Sequence, residues 1–455
     1  MGGEGGFGSA PLPLTGWRRT FRSFSGNRDF SFLFVGNIGF FFGMQMMFLL
    51  RGWLIFDKWG DAAKLGEIMA WVAVPMLLLA PVGGVIADRV DKRRLLLVAQ
   101  SALVVTNSIV AALILTDTIE FWHLRVVSVV AATAFAVNMP GRQALVAMLV
   151  PRDQLLNAVS LTTAAMNASR IVAPPIAGLL ISPIGIGGAY VVSTLFYAFA
   201  TVATFALPPM PSQREQKFSF FEDFVGGFAY IKRSSLLVGL LLIATVPMIF
   251  AMPYITLLPV FAEDVWDVGS VGFGLMQAAG GIGGLVGALT VANLDTYPKK
   301  GRLLLGGALG FGGFLMLFAV SPSFYLGLLF LAAVGYGAMV LMTVNNTAIQ
   351  LIIPNEVRGR VMSVMMMSFG LMPLGAVPAG IAAQAWGDVR PVVVIGGALC
   401  VATMLLFFAT IPSLRSLDRR LEEEQAKAGL AAEKDGYSGP GRPPVAPEPA
   451  SARAD

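Results

Sequence analysis

Residues 84–94 read Gly84-Val85-Ile86-Ala87-Asp88-Arg89-Val90-Asp91-Lys92-Arg93-Arg94. Six of these eleven residues carry a charge, yet apolar runs flank them at 66–87 and 95–115. A run of about 20 apolar residues is enough to cross a bilayer as a helix. A short ionic island between two such runs marks a chain that turns at one membrane face and goes back. The same pattern predicts spans at 30–56, 66–87, 95–115, 122–146, 155–184 and 188–207. Six more follow at 235–261, 271–292, 303–320, 324–348, 361–386 and 391–411. The reading is an all-α membrane protein of about twelve transmembrane helices in two pseudo-symmetric six-helix bundles.

Composition agrees. The 455 residues are 56% hydrophobic and 13% charged, against about 25% charged in a typical soluble domain. The net charge of +5 does not point to nucleic acid, because the cations sit in short clusters between apolar runs. One cysteine, Cys400, excludes an intrachain disulfide, and one histidine, His123, excludes HExxH and Cys/His metal sites. No Walker-type lysine stands in a Gly-rich loop. No catalytic constellation, cofactor or metal is therefore expected, and the chain reads as a transporter rather than an enzyme. Its expected partners are a small-molecule substrate and the lipid bilayer, with a monomer as the working unit. Residues 1–29 hold no signal-peptide core, so the first span is expected to act as an uncleaved signal.

Lysine and arginine fix an orientation. With the N-terminus in the cytoplasm, that side receives Arg18, Arg19, Arg22 and Arg28, the island at Arg89–Arg94, Lys232 and Arg233, Lys299 and Lys300, and Arg358 and Arg360. The other side receives only Lys58, Lys64, Arg125 and Arg390. Trp53, Trp59, Trp122, Trp266 and Trp386 fall near predicted outer boundaries, as an interfacial belt would. The expected organisation is a cytoplasmic segment (1–29), a first bundle (30–207), a cytoplasmic loop (208–234), a second bundle (235–411) and a cytoplasmic, largely disordered tail (412–455). Within the loop, Phe221, Phe224, Val225, Phe228 and Ile231 recur at helical spacing and predict an amphipathic helix.

The halves echo each other. Val150-Pro151-Arg152-Asp153-Gln154 resembles Ile353-Pro354-Asn355-Glu356, and at the same spacing Pro175 falls opposite Pro378 and Gly84 opposite Gly287. Such a repeat is a mark of secondary transporters, whose substrate site lies between the halves.

The island resembles the GxLaDRxGRK loop of the major facilitator superfamily, with Gly84, Asp88, Arg89, Lys92 and Arg93 at matching positions and Asp91 where that pattern has glycine. Asn27-Arg28-Asp29-Phe30, Pro140-Gly141-Arg142-Gln143-Ala144-Leu145 and Asn167-Ala168-Ser169-Arg170-Ile171-Val172-Ala173-Pro174 resemble the enterobactin-exporter-like branch, the transmembrane secretion effectors. The resemblance implies an Asp88-centred gate latch and export by alternating access across a bacterial inner membrane, with proton antiport. It places Asp88 against the start of the eleventh helix near Val361. Ala173, Pro174, Pro175 and Gly178 are similar to the superfamily's antiporter signature, where small residues and prolines permit close, bent packing. The glycines of the eighth span, Gly280/Gly284 and Gly283/Gly287, give the GxxxG spacing of a packing face.

Asn157, Ser160, Thr163, Asn167 and Arg170 recur at three or four residues and form a polar stripe on the fifth span. Two readings stand for Arg170: a cavity cation that meets an anionic or carbonyl-rich substrate, or a structural arginine bonded to helix carbonyls. Gln45 and Met366 are further cavity candidates, and Arg51 and Glu67 could pair as an outer gate. No Asp or Glu lies deep in a span, so the residues name no proton carrier. The substrate reads as a small apolar or amphipathic molecule such as a drug or siderophore. An importer of the same fold and a non-transporting scaffold or receptor are the alternatives.

Overall fold

A computed structural model describes residues 22–24, 27–210, 220–294, 297, 299–421 and 423, with the side chains at 22, 80–89, 220–225, 355, 356, 363, 366 and 369 outside that set. The side chains of Gly84, Asp88, Arg89 and Met366 therefore lie outside the described residues, as does the tail beyond 423.

Among the described residues, ten helical runs are long and apolar enough to cross a membrane. One of them, Leu155–Phe205, has 51 residues, which at 1.5 Å per residue would extend roughly 75 Å, far beyond a bilayer core of about 30 Å. It breaks at Gly185, whose φ of 69° and ψ of 171° suit a residue without a Cβ. The run reverses there. Ser23 donates to Asn157 near the start of the run at 2.7 Å, while Ala203 near its end packs on Gly36 of the first span. Both ends thus meet the beginning of the first span, and the run supplies spans five and six. The eleventh span escapes the length criterion because it is segmented into Asn355–Ser368, a 3-10 turn Phe369–Leu371 and Pro373–Trp386. Twelve crossings result.

The remaining spans are Arg28–Trp59, Ala62–Arg89, Lys92–Leu115 and Phe121–Leu149 in the first half, and Gly269–Asn293, Lys300–Ala319, Phe324–Ile352 and Val389–Thr410 in the second. The seventh is Ser235–Phe250, Tyr254–Val260 and a π-helical turn Phe261–Val265. Pro247, Pro253 and Pro259 lie in or beside these segments, and each proline removes a helix donor. The eleventh helix begins at Asn355 rather than Val361, so Arg358 and Arg360 sit within it.

The repeat is visible in the caps. Val150 (φ −116°, ψ 145°) and Ile353 (φ −88°, ψ 127°) both end their helices in extended conformation, as proline at the next position demands. Asn27 explains the Asn-Arg-Asp-Phe motif. Its side chain accepts from Phe30 N at 2.9 Å and caps the first helix, while its Nδ2 donates to Leu149 O at the end of the fourth.

Asp91, the departure from the superfamily loop, has φ −53° and needs no glycine. One carboxylate oxygen accepts from Arg94 N at 2.8 Å and caps the third span; the other accepts from Met210 N at 2.7 Å. Asp91→Ala is expected to cost about 1–2 kcal/mol, read as earlier thermal unfolding in detergent, with Asp91→Asn keeping most of the cap.

The helix Phe220–Lys232 lies where the sequence places it. Gly227 sits against the Arg360 backbone, so this helix docks on the start of the eleventh span. The tail is anchored at its root. Leu414, Leu417 and Leu421 are buried, and Asp418 accepts from Gly301 N at 2.6 Å, which ties residues 412–421 to the second bundle. The tryptophan belt is partial. Trp122 and Trp386 are exposed, but Trp53 is buried and stacks on Phe273 at 6.2 Å, and Trp266 packs among Phe261, Phe318 and Phe324.

Candidate functional site: a cavity between the bundles

The halves meet through two close helix pairs. A Cβ at Gly66 on the second span would lie 2.5 Å from Ala376 O on the eleventh, and Ala62 N donates to Gln384 Oε1 at 3.0 Å. On the other pair, a Cβ at Gly274 of the eighth span would lie 2.6 Å from Pro174 O of the fifth, and Ser270 Oγ donates to Gly178 O at 3.0 Å. Both contacts lie toward the end of the molecule away from Asn27 and Leu421, here called the far end. The antiporter-like residues are thus sealing residues: Pro174, Pro175 and Gly178 touch the opposite bundle, and Ala173 is fully buried beside them.

The eighth span uses two faces. Gly274 and Gly281 meet the fifth span. Gly283, Gly287 and the Gly280 carbonyl meet the tenth at Ala332, Tyr336 and Gly335. The absence of side chains lets backbones approach within contact distance on both sides.

Beneath the seal lies a cavity enclosing about 1570 Å³ of space open to solvent. Gln45, Phe48 and Arg51 enter it from the first span, Asn167 and Arg170 from the fifth, Tyr254 and Thr256 from the seventh, Phe273 and Gln277 from the eighth, and Met372 from the eleventh. Arg170 lies at the middle of this wall. Its carbonyl is beside Gly281, and the Tyr254 hydroxyl is beside Gly280. Arg170 is exposed and, among the described residues, has no hydrogen-bond or ion-pair partner. This disfavours the carbonyl-bonded structural arginine.

A second cavity of about 850 Å³ shares Met166 with the first and continues along the first bundle, lined by Phe41, Arg142, Gln143, Thr162 and Thr163 among others. Arg142 is 3% exposed. Its Nε donates to Asn138 Oδ1 at 3.0 Å and its Nη1 to Asn37 Oδ1. The Phe40 ring centroid lies 4.0 Å from its Cζ, a cation–π contact that offsets part of the desolvation. Its Nη2 is buried with no partner.

The stripe on the fifth span therefore divides. Asn167 and Arg170 face the central cavity and Thr163 the second one, whereas Asn157 accepts from Ser23 and closes the N-terminal segment onto the bundle. Ser160 is exposed and lines neither cavity. Gln45 is brought to the site. The pairing of Arg51 with Glu67 is not: Arg51, 4% exposed, donates to Ser128 Oγ at 3.2 Å, while Glu67 binds Arg125 Nε at 2.7 Å. Arg51 stands two turns inside the first span on its cavity side, and Arg125 is the cation that Glu67 reaches. Glu67→Gln is expected to change stability by under about 1 kcal/mol in a thermal unfolding assay, because both partners are well exposed. Arg93, from the latch motif, donates to Phe205 O at 2.6 Å and stacks on the Phe205 ring. Lys92 is buried at the same turn. Arg142, Tyr254 and Gln277 were not singled out from sequence as cavity residues. A cation inside the predicted fourth span was the available signal for the first.

A family model described as transmembrane secretion effector matches residues 22–440. The chain is a transmembrane secretion effector, a transporter of the major facilitator type. Relatives of this secretion effector include the staphyloferrin A transporter of Staphylococcus aureus (strain NCTC 8325 / PS 47), 26% identical over 82% of this chain and 92% of that protein. The macrolide efflux protein A of Streptococcus pyogenes is 24% identical over 80% of this chain and 90% of its own length. The enterobactin exporter EntS of Shigella flexneri is 26% identical over 62% and 66% respectively. Among solved structures, the nucleoside transporter NupG superposes with a TM-score of 0.67 at 16% identity, covering 84% of this chain and 98% of that one. A bacterial homolog of the human lysosomal transporter Spinster, inward-facing and unoccupied, superposes with a TM-score of 0.63 at 14% identity, covering 87% and 97%. These structures share the fold.

Proposed function

We propose that this secretion effector exports a small, amphipathic molecule across the bacterial inner membrane by alternating access, with both termini in the cytoplasm. The observation that carries the reading is the central cavity, walled by both bundles and sealed at the far end. With the termini in the cytoplasm the far end is the outer face, so the chain is in its inward-facing state, ready to load from inside. The apolar lining by Phe48, Met69, Met166, Phe273 and Met276 suits an apolar body, because methionine and aromatic side chains adapt to varied ligands. The relatives' printed functions, macrolide efflux and enterobactin export, support outward transport. Proton-coupled antiport is the coupling that the family resemblance implies. A monomer holding one substrate between its halves is the working unit, and nucleic acid has no part in it.

The test is growth of an efflux-deficient bacterial strain expressing this chain, across a compound panel. Raised tolerance to a subset of compounds is expected. Arg170→Ala at normal membrane abundance should reduce that protection and the corresponding efflux rate at least tenfold. No protection against any compound, or full efflux by Arg170→Ala, would remove the reading of this site.

A further inference from the structure

Among the described residues, the central cavity and the one that continues it are lined by three charged side chains, Arg51, Arg170 and Arg142, and all three are cations. No Asp or Glu is among the described lining residues of either cavity. All three arginines come from the first bundle, and the second bundle contributes uncharged groups such as Tyr254, Thr256 and Gln277. Glu67, on the second span whose Leu65 and Ile68 line the cavity, binds Arg125 and Trp71 instead. Among the described residues Arg170 has no hydrogen-bond or ion-pair partner, and Arg142 keeps a buried, unpartnered Nη2. Arg51 and Arg142 are held out of bulk water and Arg170 faces the open cavity; with no counter-ion among the described lining residues they leave a positive potential that an anion would complete. The guanidinium fork and the neighbouring amide donors suit carboxylate, sulfonate or phosphate oxygens. Most of the remaining lining is apolar, with Phe48, Met69, Met166, Phe273 and Met276 in the central cavity.

We infer that the exported molecule is an amphipathic anion, and that the membrane potential drives its exit without a proton-carrying acid in the cavity. The inference rests on the exporter reading above and replaces the proton antiport that the family resemblance implies. A bacterial cytoplasm is electrically negative, so an anion leaving it moves down the field. The arginines return to their starting positions each cycle, so the charge moved is the substrate's own. A monovalent anion then sustains about a tenfold outward gradient per ~60 mV. This accounts for a transporter whose spans contain no deep acid.

The purified full chain would be tested with 1-pyrenesulfonate, the neutral 1-pyrenemethanol and a pyrenylmethyl-trimethylammonium cation. Binding is read by energy transfer from tryptophan, since Trp53 stacks on the cavity residue Phe273. The sulfonate is expected to bind at least tenfold more tightly than either counterpart. Arg170→Gln should remove most of that preference with pyrenemethanol unchanged, and Arg170→Lys should restore part of it. In proteoliposomes, sulfonate flux should follow a valinomycin-set potassium potential and ignore an imposed pH gradient. Equal binding of the three probes, a preference that survives Arg170→Gln, or flux that follows the pH gradient alone would overturn the inference. Loss of cellular efflux with the anion preference intact would instead count against the exporter reading.

Discussion

Gly178→Leu is expected to abolish transport while leaving the protein in the membrane at close to its normal abundance. Gly178 packs directly on the backbone of Ser270 across the two bundles, and a Cβ there would lie well inside van der Waals contact with the Ser270 carbonyl. A backbone atom cannot swing away as a side-chain tip can. Each bundle keeps its own core, because Gly178 faces the partner bundle at this point, so folding is spared. The far-end seal is not. Rocking between two states requires each seal to form in turn, and a wedge removes one state from the cycle. An efflux assay should show at least a tenfold loss. A cysteine placed at Gln384, beside the second seal at Ala62, should become more reactive to an impermeant maleimide added from the far side. Gly66→Leu, opposite Ala376, should behave alike.

Gly283→Leu is expected to act differently, by removing the protein from the membrane. Gly283 and Gly335 are the crossing point of the eighth and tenth spans, where each glycine lies against the other helix's backbone carbonyl, at Ala332 and at Gly280. These spans belong to one bundle and stay packed through any rocking motion. Overpacking a core costs about 1–3 kcal/mol when neighbours can yield, and two helix backbones in contact have little room to yield. Abundance on a membrane immunoblot should fall severalfold. Gly306 and Gly313 supply the control. A Cβ at either meets nothing within 4 Å, so alanine there should be neutral or slightly stabilising through helix propensity.

Much of this architecture was legible in the chain because bilayer physics imposes long signals on it. Span lengths, the charge asymmetry and the proline-led loops at Val150 and Ile353 need no tertiary information. The glycines of the eighth span also declared themselves by spacing, though not that Gly274 and Gly281 serve a second face toward the fifth span. What stayed hidden depends on which side chains meet. Arg51 and Glu67 fall near the same membrane depth, and sequence offers no way to know that Arg125 of the fourth span reaches Glu67 first. Asn157 continues the polar stripe by spacing, yet Ser23 claims it because the N-terminal segment folds back. Asp91 looked like a lost glycine until its two carboxylate oxygens proved to hold Arg94 N and Met210 N. Arg142 has the plainest physical lesson: a cation inside a span signals a built environment, but the rings and amides that hold it come from other helices.

The most direct test is directional flux in energised membrane vesicles, using a compound against which the chain protects cells. Inverted vesicles should accumulate it, right-side-out vesicles should not, and Gly178→Leu should cancel the accumulation. Accumulation in right-side-out vesicles instead would make the chain an importer and contradict the account.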